Sequence, residues 1–161
     1  MQSDQQNDYR MRGHYVTEFS ASDISGIAAR VCHVLKINKR SFSPGKAERV
    51  IAELETYGIN VDVIDDDEWI DATRATVDPQ GLWIYMPQKL HTDLRRGTAE
   101  AIRIFLHELG HIFLRHKAML HYSEEQPRQE QDSEWQADVF ADFIIEMLDL
   151  KKSDPQLEIK F

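Results

Sequence analysis

The sequence predicts an α+β domain on three observations. Two amphipathic stretches at helical spacing open the chain, three short strand-like runs follow between residues 59 and 86, and two longer helical stretches close it. At 161 residues the chain fits one domain and is long enough to bury a core without disulfides. The expected organisation is a loosely ordered segment over residues 1–19, one domain over 20–150 and a charged tail over 151–161.

The elements follow in order. Ser20 and Asp23 form a capping-box pattern, and Ile24, Ile27, Ala28, Val31, Val34 and Leu35 then recur at helical spacing, predicting a helix to about residue 37. Ser43-Pro44 predicts a second helix start, with serine as N-cap and proline in the first turn. Its stripe is Ala47, Val50, Ile51 and Leu54, and Gly58 is its stop signal. Residues 59–64 (INVDVI) alternate apolar and polar, which predicts a strand. Residues 70–77 carry β-branched positions and end at the turn signal Asp78-Pro79-Gln80-Gly81. The run Leu82, Trp83, Ile84, Tyr85, Met86 is the third strand. The short turn predicts a hairpin between the last two, within a small antiparallel three-stranded sheet. A long helix is predicted over about 98–117, and a final one over about 132–150 after a polar loop.

Composition narrows the function. A net charge of −9 disfavours direct nucleic-acid binding, because phosphate repels it. The single cysteine, Cys32, excludes an intramolecular disulfide and reads as a small buried hydrophobe. The polar N-terminus lacks the apolar run of a secretory signal, and no apolar run reaches the roughly 18 residues of a membrane span. A cytoplasmic protein with no membrane partner is therefore expected.

The chemistry concentrates in the first of the two C-terminal helices. His107, Glu108 and His111 form a His-Glu-x-x-His pattern inside an apolar helix. Residues four apart lie on one face, so the two imidazoles converge on one ion, and neutral imidazole suits Zn²⁺. Glu108 then stands beside the attacking water as general base. The pattern with a third histidine soon afterwards fails, because Leu114 and Lys117 occupy the required positions. The remaining pattern takes a carboxylate from the next helix. There Glu134 and Asp138 share a face, with Glu134 placed to bind the ion and Asp138 to accept the free N–H of a ligating histidine. Gly110, Ala137 and Ala141 would let the two helices approach closely.

FLHELGHIFL at 105–114 together with EWQADVFADFII at 134–145 resembles the ImmA/IrrE-type metallopeptidases, a gluzincin-like family. The resemblance covers about residues 44–150. It implies a minimal zincin-like fold, with the sheet packed on the active-site helix, one zinc ion on His107, His111 and Glu134, and Glu108 as catalytic carboxylate. It also implies a narrow substrate: a helix-turn-helix repressor, encoded nearby, whose cleavage controls stress or mobile-element genes. The alternative is a zinc-bound protein without turnover, an anti-repressor or toxin–antitoxin partner acting by binding. In zinc-protease folds an edge strand beside the active-site helix binds the substrate backbone. The run Leu82, Trp83, Ile84, Tyr85 and Met86 is the candidate. Tyr85, His116, His121 and Tyr122 are candidate donors to the oxyanion, and no spacing selects among them.

Overall fold

A computed structural model of the chain describes residues 9–69, 74–117, 119 and 126–152. Among these lie five α-helices and one three-stranded sheet: α1 (Ala21–Leu35), α2 (Ala47–Thr56), β1 (Asn60–Ile64), β2 (Thr76–Asp78), β3 (Trp83–Pro87), α3 (Gln88–Arg96), α4 (Ala99–Phe113) and α5 (Ser133–Met147). The architecture is α+β.

α1 opens on the expected capping box, with Ser20 and Asp23 exchanging side-chain–backbone bonds of 3.1 Å. α2 begins at Ala47 and not at Ser43; turns occupy residues 43–46 and Lys46 caps it without a side-chain bond. Gly58 follows it at φ +83°, in the left-handed region that its stop-signal role requires.

The sheet is mixed, with strand order β1-β3-β2. β2 and β3 form the expected antiparallel hairpin, Thr76 opposite Tyr85 and Asp78 opposite Trp83. Asp78 Oδ1 shapes its turn by accepting the N–H groups of Gln80 and Gly81 at 3.1 and 3.0 Å. β1 instead runs parallel to β3, Asn60 opposite Trp83 and Ile64 opposite Pro87. The expected all-antiparallel sheet fails because the long connection after β1 carries the chain past the place where β3 inserts; a parallel pair needs such a crossover. The run expected at an edge is therefore the central strand. Ile84 and Met86 are fully buried on one face, while Trp83 and Tyr85 stack on the other with ring centroids 6.0 Å apart.

α3 lies where the sequence patterns predict no helix. Leu90 and Leu94, one turn apart, bury it, and Gly97 caps it at φ +76°. α4 ends at Phe113 and not near residue 117. Arg115 takes φ +56°, its N–H bonds Ile112 O at 3.0 Å, and His116 N–H bonds His111 O at 3.0 Å. This is a Schellman turn built without glycine, so the sequence carried no stop signal. It folds His116 back beneath His111.

α4 and α5 pack at close range through Gly110. A Cβ there would lie 3.2 Å from both Ala137 Cα and Phe140 Cβ. Leu106, Leu109, Phe140, Ala141 and Ile144 complete this interface, all fully buried.

The segment before α1, expected to be loosely ordered, is tied down over its described part. Val16 and Phe19 donate N–H to Gln131 O and Glu130 O at 2.9 and 3.0 Å, and Tyr15 bridges Asp132. Asp132 is fully buried and caps α5 by accepting the N–H of Glu134 at 3.0 Å. Its carboxylate also accepts the N–H groups of Arg12 and Gly13 at 2.9 and 3.0 Å and the Tyr9 hydroxyl. Burial raises the Asp132 pKa, but these donors outweigh it and hold the carboxyl below its usual range.

Replacing Asp132 by alanine should cost about 2–4 kcal/mol at neutral pH, since it removes a cap and strands buried N–H groups. The folded pKa is depressed, so the contribution is full above the unfolded value of about 3.9 and fades as pH falls through the folded one. Urea titrations of both proteins at pH 7 and pH 3 should therefore show the gap narrowing in acid.

Candidate metal centre

Helix period and helix start together assemble the site. His107 and His111 lie one turn apart on α4, and Glu134 lies in the first turn of α5, where the helix dipole favours a carboxylate. Nε2 of His107 lies 3.1 Å from Nε2 of His111. Glu134 Oε2 lies 2.9 Å from His107 Nε2, and Oε1 lies 3.2 Å from His111 Nε2. One ligand atom from each residue falls within 4.8 Å of the others, a group able to hold a metal ion. Gly13 backs Glu134 closely: a Cβ at 13 would lie 2.6 Å from Glu134 Cγ.

The donor set fits a small divalent cation. Tetrahedral ligands 2.0–2.1 Å from zinc stand about 3.3 Å apart, close to the spacings found here. His107 Nδ1 lies 2.9 Å from Asp138 Oδ1, and a carboxylate only accepts, so that nitrogen carries a proton. Its Nε2 then faces Glu134. Without metal, burial lowers the His107 pKa, but Asp138 and Glu134 outweigh burial and push it up to about 10. Burial raises Glu134, and its two histidine partners reverse this and hold it well below the carboxylate range. A proton thus sits where a cation would, and a metal must displace it.

Asp138, read from the sequence as the partner of a ligating histidine, is in that position. Arg12 donates to its Oδ2 at 2.8 Å, and Arg103 approaches Oδ1 at 3.4 Å. His111 has a different partner: its Nδ1 lies 2.8 Å from Nδ1 of His116, whose Nε2 lies 2.7 Å from Gln136 Oε1. Burial first, then the histidines beside it, lower the His116 pKa to about 4, against the Gln136 bond. Its ring is neutral near pH 7.

A cavity of about 590 Å³ opens on these groups. Glu108 lines it, outside the ligand set and 8% exposed. Burial pushes its carboxyl up, against the pull of His107 and His111. The β2 residues Thr76, Val77 and Asp78 form one wall. None of Leu82, Trp83, Ile84, Tyr85 or Met86, the candidate substrate strand, lines the cavity, because β3 is the inner strand. Tyr85 is likewise away from the cavity as an oxyanion donor. His116 lines it, but both its ring nitrogens are engaged. His121 and Tyr122 lie outside the described residues.

Three contributors escaped the sequence reading. His14 lines the cavity, and Arg12 reaches Asp138, neither with any motif to mark it. Gln136 carried a usable signal: it is polar, yet four residues before Phe140 on the apolar stripe of α5, and it is fully buried. Cys32 is buried, which raises its thiol to about 11 and leaves it a packing residue.

No family model matches the chain, and no curated protein or solved structure matches it. The site's own chemistry carries the functional reading.

Asp138→Asn should weaken zinc binding about 10–100-fold, as loss of a histidine-orienting carboxylate does. Competition against a chromophoric chelator measures this; unchanged affinity would mean that Asp138 does not orient His107.

Proposed function

We propose that the chain is a zinc-dependent endopeptidase of the ImmA/IrrE type. The observation that carries this reading is the convergence of His107 Nε2, His111 Nε2 and the Glu134 carboxylate within 4.8 Å, beside Glu108 in one cavity. Two imidazoles and one carboxylate are a donor set of catalytic zinc sites, which keep a coordination position open; closed structural sites favour cysteine.

His107, His111 and Glu134 would hold the ion. When bound, zinc supplies Lewis acidity for activating water and polarising the scissile carbonyl. Glu108 takes the proton of the attacking water and returns it to the leaving amine nitrogen. Its raised pKa makes it a stronger proton acceptor than an ordinary carboxylate. β2, an outer strand of the sheet among the described residues, would offer an extended peptide backbone partners alongside the cavity. The substrate that the sequence resemblance implies is a helix-turn-helix repressor, whose cleavage would switch on stress or mobile-element genes. A net charge of −9 keeps the proposal to a protein substrate without direct DNA contact. No helix among the described residues is long and apolar enough to cross a membrane.

The test is Glu108→Gln against a repressor encoded beside this chain. The variant should bind zinc as the wild type does and lose cleavage by at least about 100-fold, the usual contribution of general-base catalysis. Gel-resolved cleavage and metal analysis read the two quantities separately. Equal action of both proteins on the repressor would favour the sequestering alternative.

A further inference from the structure

We propose that His116 is a positioning residue of the metal centre, fixing the tautomer in which His111 offers Nε2 to the ion. This rests on the metal reading above and adds a role that the His-Glu-x-x-His motif does not contain.

The argument starts at Gln136, whose Nε2 lies 2.8 Å from Thr17 O and 2.7 Å from Glu130 O. Carbonyl oxygens only accept, so both amide protons are committed to them and the amide oxygen faces the other way. That oxygen lies 2.7 Å from His116 Nε2, which must therefore carry a proton. A His111 that gives its Nε2 lone pair to the ion carries its one proton on Nδ1. That Nδ1 lies 2.8 Å from His116 Nδ1, the acceptor left bare when Gln136 holds the His116 proton on Nε2. His111 Nε2 faces Glu134 Oε1 at 3.2 Å, on the side where the ion would sit. A free imidazole prefers the opposite tautomer, with its proton on Nε2, so the relay works against the ring's own bias. Asp138 does the same for His107 by a direct bond of 2.9 Å. The Schellman turn after α4 is what delivers His116 to this position. Every polar atom of the relay is paired: His116 is 7% exposed and Gln136 is fully buried.

Two readouts separate this role from mere core filling. Long-range ¹H–¹⁵N correlation spectra of the zinc-loaded wild type should show His116 protonated on Nε2 and His111 on Nδ1. In His116→Ala zinc affinity by chelator competition should fall about 10–100-fold. His116→Asn places a side-chain oxygen near the vacated Nδ1 position and should restore most of the affinity. A His116 protonated on Nδ1 in the zinc-loaded wild type, an unchanged affinity in His116→Ala, or no recovery in His116→Asn would overturn the proposal. Absence of zinc binding by the wild type would overturn the metal reading and this role together. Zinc binding by the wild type with an unaffected His116→Ala would remove this role alone.

Discussion

Two imidazole nitrogens and a carboxylate drawn within hydrogen-bond distance of one another need a proton or a cation between them. His107, His111 and Glu134 are in that situation, with donor atoms 2.9–3.2 Å apart. Holding them there requires α4 and α5 to approach closely, which the missing side chain at Gly110 permits. It also requires α5 to begin at a fixed residue, which the buried cap Asp132 enforces. Packing and capping on these two helices thus serve one distance constraint.

Two hydrogen-bond chains carry that constraint outward, and both end on the segment before α1. One runs from Arg12 through Asp138 to His107. The other runs from the Thr17 carbonyl through Gln136 and His116 to His111. Gly13 packs on Glu134 between them. The N-terminal segment therefore backs all three donors, although it contributes none of them. Asp132 secures the same segment through the N–H groups of Arg12 and Gly13, so helix start and site support share one buried carboxylate.

Local patterns made part of this legible. The capping box at Ser20, the apolar stripes of α1 and α5, the hairpin at Asp78 and the i, i+4 histidines are all set by neighbours within one or two turns of chain. So was the pairing of Glu134 with Asp138, because helix period puts them on one face. What escaped depends on distant contacts or on backbone conformations with no residue signature. The parallel pairing of β1 with β3 depends on where a long connection lands, which INVDVI and LWIYM do not encode. The end of α4 depends on Arg115 adopting a left-handed conformation usually left to glycine. An uninterrupted helix would carry His116 away from His111, so their contact has no signature in the sequence. Arg12 and His14 sit in a polar stretch with no periodicity and gain meaning only from α5.

The central claim is that a divalent ion fits among these three donors, and anomalous diffraction at the zinc edge from crystals grown with equimolar zinc tests it most directly. The account expects one peak per chain, about 2.0–2.2 Å from His107 Nε2, His111 Nε2 and a Glu134 oxygen. Zinc bound elsewhere with these side chains still in mutual contact, or none bound, would contradict it.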